Sequence, residues 1–184
     1  MDLPRRSSGE LDKSHHAKYF KRITQIMPSA MSAYDSNRMM FGFFAISGLD
    51  LLGSLDMLKE EEKKGAIEWI YRLQVKNAGA KSGFQASTML PEGTPDYLCG
   101  HLSMTYTALA TLLALGDDLS RVDKQSIVEG MRDCQNPDGC FIAMITGSES
   151  DMRFLYCACC VSYILDDWSG MDMERAVDYI LKSI

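Results

Sequence analysis

The sequence predicts an all-α fold in two helical layers, an α/α barrel or toroid that this chain covers only in part. Three observations carry the prediction. Helical periodicity recurs in seven segments while strand signals are weak throughout. The segments alternate between amphipathic helices and helices without charge. Two similar Gly-containing turns recur with a repeat of about 50 to 60 residues.

Residues 1–10 read as a flexible tail, and 11–184 as the repeat domain. The first segment, about residues 12 to 26, places Tyr19, Phe20, Ile23 and Ile26 on one stripe, with Lys13, Lys18, Lys21 and Arg22 elsewhere. The second, Asn37 to Leu52, has no charge from Met39 to Leu49 and is apolar around its circumference, which predicts burial on all sides. The third, Lys63 to Gln74, sets Ile67, Ile70, Tyr71 and Gln74 against Lys64, Glu68 and Arg72. The fourth, His101 to Leu115, is uncharged. The fifth, Lys124 to Cys134, is amphipathic through Ile127, Val128 and Met131. The sixth, Asp151 to Leu165, has no charge after Arg153 until it ends. The seventh, Asp172 to Ile184, has Met173, Ala176, Val177, Ile180, Leu181 and Ile184 at helical spacing.

Amphipathic helices outside and uncharged helices inside, joined as hairpins, make a two-layer ring. After the third helix Gln74 leads to Ser82-Gly83-Phe84; after the fifth, Gln135-Asn136-Pro137-Asp138 leads to Gly139-Cys140-Phe141. The Gly allows a turn with positive φ, and the Phe behind it can plug the space between layers. Seven helices make three and a half hairpins. The last apolar stripe and the first inner helix are therefore expected to lack neighbours, so the chain is expected to be incomplete or to depend on a partner.

Composition narrows the function classes. The 184 residues suffice for one sizeable core. A net charge of −6, with no Lys/Arg run longer than Lys63-Lys64, argues against a nucleic-acid partner. No stretch has the roughly 18 apolar residues of a membrane span, and the N-terminus has no signal-like apolar region, so a soluble, cytoplasmic protein is expected. Six Cys, at 99, 134, 140, 157, 159 and 160, fit no disulfide framework and read as reduced thiols.

Candidate chemistry is sparse. Asp117-Asp118 and Asp166-Asp167 lack the third carboxylate one turn on that a Mg²⁺-diphosphate site requires, and read as loop and cap residues. Cys157, Cys159 and Cys160 do not share one face of a helix, so they read as packing rather than zinc ligands. His15-His16 read as solvated. Arg153 opens an otherwise uncharged helix and shares a face with Tyr156 and Cys160; it either pairs with Asp151 or Glu149 or orients an anionic group of a ligand. His101 opens another uncharged helix as a cap or a ligand contact. Met39, Met40, Phe43, Phe44, Phe154 and Tyr156 form either core or the wall of a cavity suited to a long hydrocarbon.

Several runs carry a family resemblance: Phe43-Phe44-Ala45-Ile46-Ser47-Gly48-Leu49-Asp50, Glu68-Trp69-Ile70-Tyr71-Arg72-Leu73-Gln74, Gly100-His101 with Met104-Thr105-Tyr106-Thr107, Gly116-Asp117-Asp118-Leu119-Ser120-Arg121-Val122, Asp151-Met152-Arg153-Phe154 with Tyr156-Cys157, and Trp168-Ser169-Gly170-Met171-Asp172. The chain resembles the protein prenyltransferase β-subunit family over nearly all its length, and within it the type I geranylgeranyltransferases. The Gln-Asn-Pro-Asp-Gly-Cys-Phe run is similar to the repeat of the wider family.

The resemblance implies an α/α toroid that pairs with a prenyltransferase α subunit. It implies transfer of geranylgeranyl from its diphosphate to the Cys of a C-terminal CaaX sequence, as in Rho/Rac-type small GTPases. Zinc, held by Asp, Cys and His, activates the acceptor thiol in that family; those ligands have no counterpart in this sequence, so this chain alone is expected to be inactive. By resemblance His101, Ser103 and Phe154 line the pocket for the last CaaX side chain, Arg153 and Tyr156 flank isoprenoid and peptide, and Met40 and Phe44 stand near the far end of the lipid tunnel. Type I enzymes tend to carry Thr at the Met40 position and Ala at the Ser103 position. Competing expectations are a short form that binds the α subunit or substrate without turnover, and another toroid enzyme such as a terpene cyclase.

Overall fold

The computed structural model describes residues 11–25, 29–88 and 98–184. Among them run α1 (Lys13–Ile23), α2 (Arg38–Leu51), α3 (Glu60–Arg72), α4 (Leu102–Ala114), α5 (Lys124–Arg132), α6 (Met152–Leu165) and α7 (Met173–Lys182), one for each expected segment. The expected tail 1–10 and Ile26 lie outside the described residues. A nine-residue 3-10 segment, Ser29–Asn37, leads into α2.

Local chemistry sets the helix starts. Asp12, Asp123, Asp151 and Asp172 each cap a helix, accepting from the backbone N–H of His15, Ser126, Arg153 and Arg175 at 2.7 to 3.2 Å. The third helix begins a turn earlier than periodicity suggests. Glu60, Glu61 and Glu62 occupy its first turn, where carboxylates favour the positive end of the helix dipole, and Glu62 Oε2 accepts from Lys59 N–H at 2.8 Å.

Helix α4 is the centre of the inner layer, packed between α2 and α6, while α1, α3 and α5 back α2, α4 and α6 respectively. Its apolar residues Leu109 and Leu112 are fully buried with Leu155 and Val161 of α6. The buried hydroxyls of Thr107 and Thr111 donate to the carbonyls of Met104 and Thr107, which removes their cost in an apolar layer.

The two repeat turns share one hydrogen-bonding scheme. The two-residue strands β1 (Gln74–Val75) and β2 (Gly83–Phe84) pair antiparallel, Gln74 opposite Phe84, and Gln135 bridges Phe141 in the same way. Gln85 N–H donates to Leu73 O at 3.0 Å, and Ile142 N–H to Cys134 O at 2.9 Å. Phe84 and Phe141 are fully buried between the layers, each contributing about 2 to 3 kcal/mol by area. Gly139 has φ of 94°, and a Cβ there would collide with the Arg175 backbone carbonyl of α7. Gln135 completes that junction: its carboxamide accepts from Asp172 N–H at 2.6 Å and donates to Asp172 O at 3.0 Å.

Two expectations change. The inner helices carry charge only near their ends, yet they are not enclosed: Phe44 and Leu51 of α2, Leu113 of α4, and Tyr156 and Tyr163 of α6 are exposed. In α1, Ala17 is the buried residue and Phe20 packs under Gly48, whereas Tyr19 is half exposed. Rotation by one residue (100°) carries Tyr19 off the packed face that Phe20 occupies.

Candidate functional site

On each inner helix a set of exposed and half-buried residues follows one face. On α2 they are Met40, Phe44, Ser47 and Leu51; on α4, Ser103, Tyr106, Ala110 and Leu113; on α6, Met152, Tyr156, Cys159, Cys160 and Tyr163. Each set follows 3- and 4-residue steps, so each is a single stripe. Because α4 lies between α2 and α6, the stripes join into one largely apolar wall, with hydroxyls at Ser47, Ser103, Tyr106, Tyr156 and Tyr163.

Aromatic rings tie the wall together across the helices. Phe44 meets Phe43 at 5.5 Å between centroids, Phe43 meets Tyr106 at 5.6 Å, and Tyr106 meets Tyr156 edge-on at 5.7 Å. Hydrogen bonding to Tyr106 and Cys160 raises the Tyr156 phenol above its ordinary range, so it stays neutral at physiological pH. Of the residues expected to line a hydrocarbon cavity, Met40, Phe44 and Tyr156 stand on this wall. Met39 does not: it is fully buried on the other side of α2.

A polar cluster stands at the N-terminal ends of α4 and α6. His101 precedes α4, with its Nδ1 3.2 Å from Ser103 Oγ and its ring 6.1 Å from that of buried Phe154. The structure therefore brings His101, Ser103 and Phe154 together. Arg153, in the first turn of α6, donates from Nε to both Asp151 oxygens at 3.0 and 2.9 Å, and from Nη2 to Glu149 at 3.0 Å and Asp151 at 2.5 Å. The pairing weighed from sequence is present, and it lifts the guanidinium further above its ordinary range. Burial pulls His101 below the usual imidazole value, while the Glu149 charge opposes that shift. Glu149 thus touches both Arg153 and, through its field, His101; the sequence singled it out only as a partner for Arg153. Tyr106, the ring that joins α2 to α6, carried no chemistry-bearing signal in the sequence.

A zinc site needs three or four converging donors. Among the described residues no three His, Cys, Asp or Glu could hold a metal ion, so this donor set does not fit zinc. Burial pushes the Cys157 thiol up to about 11 and that of Cys134 up to about 12, away from the thiolate form a metal would bind. The Asp pairs are loop fittings: Asp117 accepts from Leu119 N–H and from Tyr71 O–H at 2.5 Å, Asp118 from Ser120 N–H, and Asp167 from Ser169 N–H. A separate cleft of about 370 Å³ opens on the opposite side of α2, lined by Ile23, Phe41, Ile46, Ala66 and Trp69 among others.

Comparison with known proteins agrees with the two-layer helical fold. The family model described as prenyltransferase alpha-alpha toroid domain matches residues 11–184. The chain is 34% identical over 186 residues to geranylgeranyl transferase type-1 subunit beta of Arabidopsis thaliana, covering 95% of this chain and 49% of that protein. It is 34% identical to the protein of the same name from Dictyostelium discoideum, covering 89% and 52%. A farnesyltransferase β subunit of Schizosaccharomyces pombe is 28% identical, covering 86% and 37%. The chain spans about half the length of the first two relatives. In three dimensions it is similar to Candida albicans protein geranylgeranyltransferase-I complexed with GGPP, with a TM-score of 0.84 at 22% identity, covering 96% of this chain and 52% of that one. From the paired turns, the alternating layers and the match along residues 11–184, the chain belongs to the prenyltransferase α/α-toroid domain family.

Proposed function

We propose that this chain supplies the isoprenoid-facing wall of a type I protein geranylgeranyltransferase β subunit. In that role it acts with a prenyltransferase α subunit in the cytoplasm, in transfer of geranylgeranyl from its diphosphate to the Cys of CaaX proteins such as Rho/Rac-type GTPases. The observation that carries the reading is the largely apolar wall of α2, α4 and α6, along which Phe44, Phe43, Tyr106 and Tyr156 make successive ring contacts. Such a wall favours a long hydrocarbon, since each buried methylene contributes about 0.8 kcal/mol. The similarity to two type-1 β subunits supports the choice of lipid. Met40 shares a stripe with Phe44 one turn away, where it bears on the length of chain accepted.

The polar cluster is assigned to the acceptor peptide. His101 and Ser103 offer hydrogen-bonding groups beside the Phe154 ring at the N-terminal end of α4. Zinc, when bound by the assembled family enzyme, activates the acceptor thiol; the described residues of this chain hold no set for it, and no step through it is assigned to them. What these residues do is bind and orient. Residues 11–184 are assigned as one toroid domain.

The test is co-expression with a prenyltransferase α subunit, followed by co-purification and fluorescence titration with a geranylgeranyl diphosphate analogue. Binding by the complex, weakened about tenfold by Tyr106→Ala, is expected. Co-purification with binding but no turnover would favour the non-catalytic form. Absence of both association and lipid binding would refute the proposal.

A further inference from the structure

Helix α1 carries a surface that the lipid wall and peptide cluster leave unused. Lys13, Lys18, Lys21 and Arg22 give it four positive charges and no negative one on a chain of net charge −6, so the rest of the chain carries −10. Lys21 is turned to the body, donating to Met57 O at 2.5 Å. The others are exposed. His15, Lys18, Tyr19 and Arg22 lie at i, i+3, i+4 and i+7, a single outward stripe, and Leu11 stands exposed just before the helix cap. The opposite face fixes the helix through Ala17 and Phe20. Among the described residues no carboxylate lies within ion-pair distance of Lys18 or Arg22. Arg22 instead lies 5.7 Å from the Tyr19 ring centroid.

We propose that this stripe is a docking surface for an anionic lipid membrane. Basic side chains interleaved with an exposed Tyr and Leu suit a headgroup layer, where cations meet anionic lipids and the apolar groups enter the boundary. An acidic protein surface is the competing occupant, and the vesicle experiment separates the two. Charge asymmetry adds orientation: attraction at α1 and repulsion elsewhere present this face to the membrane. The proposal stands on α1 alone and does not depend on the lipid-wall reading.

The experiment is co-sedimentation of the full chain with phosphatidylcholine vesicles with and without phosphatidylserine, at low and high salt. Retention on the anionic vesicles only, lost at high salt, is expected. Lys18→Glu with Arg22→Glu should lower the partition coefficient about tenfold or more, and Tyr19→Ser by a smaller factor. Circular dichroism checks that each variant folds. Lys124→Glu with Lys182→Glu, an equal charge change on α5 and α7, should have little effect. Equal capture by neutral vesicles, equal loss in both charge-reversal pairs, or α1-dependent retention by an acidic protein without vesicle binding would overturn the assignment.

Discussion

Replacing Gly139 and Gly147 separately by Ala separates backbone strain from packing. Both have φ near 100°, 94° and 107°, which L-residues rarely adopt, so each substitution costs about 1 to 3 kcal/mol on that ground. Gly147 has nothing within 4 Å of a new Cβ, whereas Gly139 lies against the Arg175 carbonyl. That overlap forces the repeat turn away from α7 and adds about 1 to 3 kcal/mol. At 2 to 4 °C per kcal/mol for a chain of this size, Gly139→Ala should melt about 2 to 12 °C below Gly147→Ala. Thermal melts followed by circular dichroism give the comparison. Coincident melting of the two variants would show that the Gly139 turn does not seat α7, and the account of the repeat junction would fail.

Phe141→Ala should destabilise by about 3 to 5 kcal/mol in urea unfolding, because the ring is fully buried between layers. Arg121→Ala removes the Glu68 ion pair and the guanidinium 4.0 Å from the Tyr71 ring, yet should leave the urea midpoint almost unchanged, far less shifted than by Phe141→Ala, since the pair is exposed and screened. Glu149→Gln should move His101 titration, followed by NMR, to lower pH, because removing the carboxylate leaves burial unopposed. Cys157 and Cys134 have raised folded values, about 11 and about 12. Stability should therefore hold below the unfolded thiol value near 9 and fall as pH rises from there toward the folded values. Cys157→Ala should reduce that alkaline loss in urea titrations.

Much of this architecture was legible because period and charge report packing directly. The absence of charge between Met39 and Leu49 placed α2 in the inner layer, and Gly before a buried Phe marked both turns. The same absence misled on enclosure: Phe44 and Leu51 need no charge to face open space, so composition could not separate a core face from a cavity wall. Tyr19 was ambiguous because it adjoins Phe20, and which ring packs depends on Gly48 across the interface. The Gln at 74 and 135 looked equivalent, yet only Gln135 bonds the α7 cap among the described residues, while the Gln74 carboxamide is buried without a partner. The grouping of His101, Ser103 and Phe154 spans two helices, a long-range fact that no local spacing encodes.

The wall of α2, α4 and α6 is most directly tested by photolabelling with a diazirine-bearing geranylgeranyl diphosphate, on the chain co-expressed with a prenyltransferase α subunit, followed by mass mapping of the labelled residues. The account predicts labels at Phe44, Tyr106, Leu113 and Tyr156. Label confined to Phe41 and Trp69 in the cleft behind α2, or none on this chain, would contradict it.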